Sequence, residues 1–344
     1  MKNIFFIALL LITVMSCSTE EKPKDYAVIS GTITNPIDSL RLRLYDAKNK
    51  KTVMVAVDAA GNFRDTLKLD APVTFTAVYK SVFGLYLENN MNLNLTLDSK
   101  EIAKSISFSG NGEIENNFLR FKTKKASELY GENYKEYLSL NEADFTAKTK
   151  SYTEGISNEL EAKKVDFDTA FVNRQRKELV LFEKENLIQY EEQQKINKAL
   201  GKGNPSPEFT DYVNYRGGTS SLKDYRGSYV YIDVWATWCG PCKYEIPFLE
   251  KVEKEYHDKN IKFVSLSIDN LKDESKWRAM IKDKDMSGIQ LLADKDYDSQ
   301  FIRDYFIYGI PRFILIDTKG NIVNYDAPRP SEEKLKTLFN SLDI

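Results

Sequence analysis

Hydrophobic and polar residues alternate through much of the first third of the chain. Residues 40–45 read Leu-Arg-Leu-Arg-Leu-Tyr, a pattern typical of a half-buried strand. Residues 51–57 and 63–69 repeat the alternation on either side of a turn at 58–62, which predicts a β-hairpin. We therefore predict an all-β module, sandwich-like in architecture, over residues 26–112.

The pattern becomes helical over residues 113–200, which are rich in Lys, Glu, Asn, Tyr and Leu and contain no proline. This composition predicts about two or three helices, the longest over residues 169–199. One face of that helix is expected to pack against the core. Its apolar members include Phe171, Leu179, Phe182 and Ile188. The dense Glu and Lys elsewhere indicate a solvated surface, with a partner-docking helix pair as the alternative. Residues 201–207 break the helix and mark a boundary.

Strand and helix patterns alternate over residues 205–344. The predicted strands are 229–235, 261–268 and 289–292, and a hairpin is expected at 318–321. The predicted helices are 241–256, 274–282, 297–304 and 331–342. This order predicts a C-terminal α/β domain with a mixed sheet, so the chain as a whole is expected to be multi-domain.

The N-terminus reads as a targeting segment. An apolar run over residues 4–14 follows Lys2 and has the length of a signal-peptide core, too short to span a bilayer. The run ends in Val14-Met15-Ser16-Cys17, which resembles the lipobox of bacterial lipoproteins. That resemblance implies a signal peptide over residues 1–16 and a lipid on Cys17. An ordinary secretory signal with an incidental cysteine is the alternative.

Residues 17–25 are small, charged and interrupted by proline, so we predict a lipidated, flexible tether. The mature protein is then expected in the cell envelope, anchored to a membrane and facing the periplasm or the cell surface. Disulfides are permitted in such a compartment.

Composition excludes several classes of function. The 49 basic and 51 acidic residues give a net charge of −2, which offers no electrostatic case for a nucleic-acid partner. Three cysteines and one histidine supply few metal ligands. A zinc half-site at two of the cysteines would need a second pair of ligands, and with Cys17 lipidated only His257 is left. We expect neither a metal nor another cofactor.

The candidate chemistry lies in Cys239-Gly240-Pro241-Cys242, at the junction of a predicted strand and a predicted helix. A thiolate at a helix N-terminus faces the positive end of the helix dipole, which lowers the pKa of Cys239. The thiolate attacks a disulfide of a partner and forms a mixed disulfide, and Cys242 resolves it. Pro241 suits the first helical turn, where its missing N–H would be unpaired.

This stretch resembles the active site of thioredoxins. The resemblance rests on Trp238 to Lys243, on Pro247, and on Gly309-Ile310-Pro311. It implies a thioredoxin-like fold in which Pro311 is cis and lies against the two cysteines, and in which the backbone of Ile310 hydrogen-bonds the substrate chain. Trp238, Gly240 and Pro241 are then expected at the substrate-binding surface.

Two acids are candidates for proton transfer. Asp233, six positions before Cys239, matches the buried acid of thioredoxins, and burial would raise the pKa of its carboxyl toward the thiol range. Glu245 matches instead the acid of the TlpA-like and ResA-like branch. Residues 208–210 and 222–227 resemble the entry of that branch, where a small hairpin precedes the thioredoxin core. How the proton work divides between the two acids stays open.

The N-terminal module has a separate resemblance. Its layout, including residues 108–119, is similar to the β-rich module of the domain-of-unknown-function 4369 type found ahead of thioredoxin-like domains in bacterial lipoproteins. That resemblance implies no known chemistry.

Several alternatives remain beside the exchange site. A structural disulfide would close too small a loop to stabilise much. A peroxiredoxin-like peroxidase usually has Thr three residues before its nucleophile, whereas Thr237 is two before Cys239. Residues 294–298 suggest calcium, but they lack the Gly and terminal Glu of an EF-hand.

The Gly-Pro pair resembles reducing thioredoxins, so we favour reduction of protein disulfides, with electrons from an unidentified membrane donor. A disulfide oxidase or isomerase is the alternative within this chemistry. A partner-binding lipoprotein scaffold, in which the thiols are secondary, is the alternative of a different class.

Overall fold

The computed structural model describes residues 23–131 and 133–344. The predicted signal peptide, Cys17 and the first part of the predicted tether lie outside the described residues. The chain divides into two compact units, Met1–Glu185 and Asn186–Ile344. In the part of the chain that is described, no helix combines the length and the apolar character needed to cross a bilayer.

The N-terminal unit contains two four-stranded sheets, in the orders β4-β1-β7-β8 and β3-β2-β5-β6. The strands are β1 Ala27–Thr34, β2 Leu42–Asp46, β3 Lys51–Val55, β4 Asn62–Leu67, β5 Val73–Tyr79, β6 Ser81–Leu87, β7 Asn92–Asp98 and β8 Ser107–Gly110, with a short helix α1 at Ile102–Ser105. Buried and exposed residues alternate along β2 and β7, as in a sheet with one buried face. The prediction of a strand-rich N-terminal region is confirmed.

Four helices follow within the described residues, where about two or three were expected. They are α2 Glu113–Tyr130, α3 Tyr134–Leu138, α4 Glu142–Ala162 and α5 Thr169–Leu200. The additional helix α3 is only five residues long, too short for its apolar period to be read from sequence. Its N-terminus is capped by Asn133, whose side chain accepts a hydrogen bond from the N–H of Lys135 at 3.0 Å.

The predicted apolar face of α5 is wrong at one position. Ile188 is 51% exposed. The buried positions of this helix instead recur at steps of three and four residues: Phe171, Gln175, Leu179, Asn186 and Tyr190 are buried and Phe182 is half-buried. Ile188 lies two residues from both Asn186 and Tyr190, which turns it to the opposite face. The apolar pattern does not reveal this face, because two of the buried residues in the C-terminal half of α5, Asn186 and Tyr190, are polar or amphipathic.

The C-terminal unit is built on a mixed seven-stranded sheet in the order β10-β9-β13-β12-β11-β14-β15. Its strands are β9 Tyr212–Asn214, β10 Thr219–Ser220, β11 Tyr229–Trp235, β12 Ile261–Ser267, β13 Ile289–Leu292, β14 Arg312–Ile316 and β15 Ile322–Asn324. The hairpin β9–β10 is the expected entry to the domain. The prediction of an α/β thioredoxin-like fold is confirmed.

The helices of this unit are α6 Gly240–Glu255, α7 Glu274–Asp283, α8 Gln300–Asp304 and α9 Glu333–Asn340. The helix predicted over residues 297–304 is broken: a 3₁₀ turn at Asp296–Asp298 precedes α8. Ser299 separates them with a ψ of 137°, and its hydroxyl hydrogen-bonds that of Tyr212. This contact with a distant residue interrupts a helix that the local pattern favoured.

Strand β11 lies at the centre of the sheet and positions the site. It pairs in parallel with β12 and antiparallel with β14. Ile232 and Val234 belong to a core cluster on one face, whereas Tyr231 belongs to a second cluster with residues of α6 and α9. A strand buried on both faces fixes the loop that follows its last residue, Trp235.

Candidate active site

The two cysteines lie where β11 gives way to α6. Cys239 is the N-cap of the helix, and its Sγ accepts a hydrogen bond from the backbone N–H of Cys242 at 3.1 Å. Pro241 occupies the first helical turn. The two sulfurs are joined in a disulfide. The Sγ of Cys239 therefore occupies the position of a capping anion, where the helix dipole stabilises a thiolate.

The loop before β14 closes the other side of the dithiol. The Ile310–Pro311 peptide bond is cis, as the resemblance implies, and the C=O of Ile310 lies 3.8 Å from the Sγ of Cys239. Both loop residues are half-buried, whereas Cys239 is 4% exposed. A backbone carbonyl at this distance lies within reach of a chain bound across the sulfur.

The surface around the dithiol is apolar and accessible. Trp238 is 59% exposed, and Gly240 and Pro241 are exposed as well. The ring of Tyr297 lies 6.4 Å from that of Trp238, in a tilted arrangement. Tyr297 was not predicted to be near the site, because only tertiary folding brings the 3₁₀ turn beside the cysteine loop.

A buried carboxylate holds the loop in front of Cys239. The backbone N–H and the hydroxyl of Thr237 donate to Asp269 at 2.9 and 2.7 Å. Asp269 is 1% exposed and also accepts from the hydroxyl of Ser267 at 2.8 Å. No sequence pattern predicts this contact, since Asp269 is 32 residues away from Thr237 and belongs to no motif.

Asp233 is buried in β11 at 3% exposure. Among the described residues, its Oδ1 has no hydrogen-bond partner. Burial, together with the negative charges of Glu245 and Glu253, raises the pKa of Asp233 to about 8. A carboxyl in this environment holds a proton near neutral pH and can exchange it with a thiol.

Glu245 lies on α6 and is 2% exposed, but its carboxylate is well bonded. It accepts from the backbone N–H of Ser331 at 3.0 Å and from the hydroxyl of Ser331 at 2.9 Å. The guanidinium of Arg329 lies 4.0 Å away. Both oxygens of Glu245 therefore have hydrogen-bond partners, whereas Oδ1 of Asp233 has none among the described residues.

A third acid, Glu253, interacts electrostatically with Asp233. Burial raises the pKa of Glu253, also on α6, to about 7, although a hydrogen bond from the hydroxyl of Ser287 opposes the shift. Its negative charge raises the pKa of Asp233. Glu253 could not be predicted from the sequence, because it belongs to none of the motifs around the cysteines.

The potential metal ligands do not cluster in the part of the chain that the structure describes. No group of three or more His, Cys, Asp or Glu side chains is placed to hold a metal ion within residues 23–131 and 133–344. The side chain of His257 is 83% exposed just beyond α6. In the segment 294–298, Asp296 accepts a hydrogen bond from the amide of Asn270 at 3.1 Å.

Known proteins resemble the C-terminal part of the chain. Residues 201–342 match the family model described as Redoxin. The thioredoxin-like protein YneN of Bacillus subtilis is 32% identical over 134 residues, which cover 39% of this chain and 75% of YneN. The thiol–disulfide oxidoreductase ResA of Bacillus thuringiensis is 26% identical over 143 residues, covering 42% of this chain and 78% of ResA.

Solved structures are also similar to this part of the chain. The thioredoxin domain of a thiol–disulfide oxidoreductase from Bacteroides vulgatus is 28% identical, with a TM-score of 0.38, and the match covers 42% of this chain and 99% of that domain. The identity to YneN extends over three quarters of that relative. The chain therefore belongs to the thioredoxin-like family, and it is a thiol–disulfide oxidoreductase.

Proposed function

We propose that the protein is an extracytoplasmic, membrane-anchored oxidoreductase that reduces protein disulfides through Cys239 and Cys242. The observation that carries this proposal is the position of the Cys239 sulfur at the N-terminus of α6, 3.1 Å from the N–H of Cys242 and 3.8 Å from the C=O of Ile310. A sulfur so placed is stabilised as a thiolate and can be reached by a bound chain.

The first step is attack by the thiolate of Cys239 on one sulfur of a substrate disulfide. A bond forms between the Sγ of Cys239 and that sulfur, and the substrate S–S bond breaks. The second substrate sulfur leaves with the electron pair and takes a proton. Binding is assigned to the backbone of Ile310, to Pro311 and to the exposed surface of Trp238, Gly240 and Pro241.

The second step releases the substrate. The thiol of Cys242 loses its proton, attacks the Sγ of Cys239 and forms the intramolecular disulfide, and the remaining substrate sulfur leaves as a thiol. Two electrons have then passed from the protein to the substrate. A donor dithiol at the membrane must restore the reduced form by the reverse exchange.

We assign the proton of Cys242 to Asp233 rather than to Glu245. Asp233 has an Oδ1 without a partner and a pKa raised to about 8, close to that of a thiol. Glu245 accepts two hydrogen bonds from Ser331, so both of its oxygens already have partners. Its charge then serves to raise the pKa of Asp233, so Glu245 acts as a positioning residue for the proton.

The anchor is assigned to a lipid on Cys17, which follows the apolar signal segment. The tether over residues 17–25, the β module over 26–112, the helical segment over 113–200 and the redox domain over 205–344 complete the proposed organisation. We further propose that the β module is of the domain-of-unknown-function 4369 type. Disulfide-containing proteins of the cell envelope are the substrate class.

Capture of mixed disulfides tests the function. Cys242→Ser cannot resolve the first intermediate, so we expect it to accumulate covalent complexes with envelope proteins that migrate more slowly on non-reducing gels and vanish on reduction. Cys239→Ser is the matched control, because it makes the same Cys-to-Ser substitution but removes the attacking sulfur. If both variants capture the same partners, or if Cys239→Ser reduces a protein disulfide at the rate of the unmodified protein, the proposed mechanism is wrong.

A further inference from the structure

The N-terminal unit contains a cavity that the redox site does not use. Its volume is about 770 Å³, and it is lined by residues of β6, β8, α1 and α2. Its apolar lining includes Phe83, Ile102, Ile106, Phe108 and Phe121. Val82 also lines the cavity and is 63% exposed. A large, mostly apolar cavity of this kind is typical of a binding site.

One wall of the cavity is an unpaired strand edge. β6 is the last strand of its sheet. At one end of this edge, Tyr86 is capped by Asn116: the N–H of Tyr86 donates to Oδ1 at 2.8 Å, and its C=O accepts from Nδ2 at 2.9 Å. The backbone groups of Tyr86 therefore point away from β5.

In an antiparallel strand, the backbone groups of successive residues point alternately to the two sides, so the orientation seen at Tyr86 recurs along β6. The register with β5 is continuous from Leu87 to Ser81, so every second residue points its N–H and C=O away from β5. Gly84 and Val82 follow Tyr86 in that series, and both line the cavity. Among the described residues, no backbone group pairs with theirs. This edge can accept an added strand.

The charge around the cavity is positive. Lys104, Arg120 and Lys124 line it; Lys104 also lies 3.8 Å from the carboxylate of Glu101, and Arg120 donates to the C=O of Ile106 at 2.9 Å, which leaves Lys124 as the most available cation. Glu128 also lines it, but its carboxylate is paired with Lys125 at 2.7 Å. A ligand with acidic groups is therefore favoured over a basic one.

We propose that this cavity binds an extended segment of a partner polypeptide, about six residues long, as an additional strand on the edge of β6. Alternate apolar side chains of the segment enter the cavity, and its acidic side chains face Lys104 and Lys124. A strand supplies both features that the site lacks, backbone partners for Val82 and Gly84 and negative charge. A fatty acid would supply charge and apolar bulk but no backbone pairing.

Binding of a synthetic peptide tests the strand addition. The probe is a fluorescent peptide of about six alternating Val and Glu residues, titrated into the full chain and followed by anisotropy. Val82→Pro removes an N–H that faces the cavity without removing a bond to β5, which an edge strand tolerates. We expect Val82→Pro to weaken binding by about tenfold, whereas Val82→Thr retains the N–H and binds as the unmodified protein does.

A charge variant keeps the proposal testable if Val82→Pro fails to fold. We expect Lys124→Glu to weaken binding several-fold and to reduce its dependence on salt. Lys148→Glu makes the same charge change at an exposed residue of α4 that does not line the cavity, and it is the matched control. Because the peptide contains no cysteine, its binding is read independently of the proposed redox function.

Three results would overturn the proposal. The first is equal affinity of the peptide for the unmodified protein, Val82→Pro and Lys124→Glu. The second is binding of dodecanoate with no binding of the peptide, which would assign the cavity to a lipid. The third is self-association that Val82→Pro abolishes while the peptide does not bind, which would assign the edge to a second copy of the chain.

Discussion

The two acids predicted for proton transfer, Asp233 and Glu245, differ in their hydrogen-bond partners. Asp233 is buried with an oxygen that has no hydrogen-bond partner among the described residues, whereas Glu245 accepts two hydrogen bonds from Ser331. Burial raises the pKa of Asp233 to about 8, so its carboxyl favours the protonated form at neutral pH. A pKa in that range suits the proton exchange with a thiol that we propose for Asp233.

This environment predicts a pH dependence of stability. The pKa of Asp233 is about 8 in the folded protein and about 3.9 in an unfolded chain. Between these values the folded state holds a proton that the unfolded state has lost, so the free energy of unfolding falls as the pH rises. Asp233→Asn removes this contribution. We expect the variant to gain stability relative to the unmodified protein between pH 5 and pH 8, by at most about 1.4 kcal/mol per pH unit.

Urea denaturation of both oxidised proteins at several pH values measures the difference. Glu253, with a pKa of about 7, contributes a slope of the same sign below pH 7 in both proteins, so the difference between them reports Asp233 together with its interaction with Glu253. A stability difference that stays constant from pH 5 to pH 8 would show that Asp233 is ionised throughout, with a pKa too low to match that of the Cys242 thiol, and would contradict its assignment to proton exchange.

The residues that could be anticipated from sequence are those in motifs. The two cysteines, Pro311 and Asp233 were named because their spacing matches a known pattern. Asp269 and Ser331 were not, although they hold Thr237 and Glu245 through short hydrogen bonds. Each is an ordinary polar residue far along the chain from its partner, and no local pattern marks it.

At the scale of elements, the local pattern predicted strands and helices reliably where most of their residues are apolar. The bounds of β11 were predicted without error, because six of its seven residues are apolar or β-forming and the pattern changes clearly after Trp235. The prediction of one helix over residues 297–304 was wrong, because Ser299, whose hydroxyl is hydrogen-bonded with that of Tyr212, has a non-helical ψ of 137°. The predicted buried face of α5 is wrong at Ile188, because the buried positions in that part of the helix are occupied by Asn186 and Tyr190 and not by aliphatic residues.

The C-terminal end of α5 packs within the C-terminal unit, which predicts a difference between two fragments. Leu200 is 1% exposed in the core cluster, and Ile196 packs against the same cluster. Gln193 and Asn197 hydrogen-bond the hydroxyl of Tyr325 at 2.9 and 3.1 Å. We expect a fragment of residues 186–344 to exceed one of residues 205–344 in unfolding free energy by about 2–4 kcal/mol.

Denaturant unfolding of the two fragments measures this difference. Leu200→Ala in the longer fragment is the control, and it should lower the free energy of unfolding by about 2–4 kcal/mol through the cavity it leaves. Equal stabilities of the two fragments would place the boundary of the redox domain at residue 205, within the helix-breaking segment of residues 201–207.

At the scale of the whole molecule, the sequence predicted a multi-domain chain with a strand-rich beginning, a helical middle and a thioredoxin-like end, and this order is confirmed. Composition and periodicity carry such information because each region buries its apolar residues with a different period. The cavity beside β6 was not anticipated. It is formed by residues from separate elements, none of which carries a motif.

Anchoring also concerns the whole molecule. If a lipid on Cys17 holds the protein at a membrane, Cys17→Ser should move it from the membrane fraction to the soluble fraction after cell disruption. Cys239→Ser is the matched control, since it replaces a cysteine of the redox site and leaves the lipobox unchanged. Immunoblotting of the two fractions measures the shift, and a Cys17→Ser protein that stays with the membrane would contradict the anchor.

The reduction potential of the Cys239–Cys242 pair tests the central claim most directly. The full chain is equilibrated with defined ratios of reduced and oxidised dithiothreitol, and the fraction of free thiol is measured by alkylation. A reductase with a Gly-Pro pair between its cysteines is expected near −270 mV. A value near −120 mV, that of a strong disulfide oxidant, would contradict the proposed direction of electron flow.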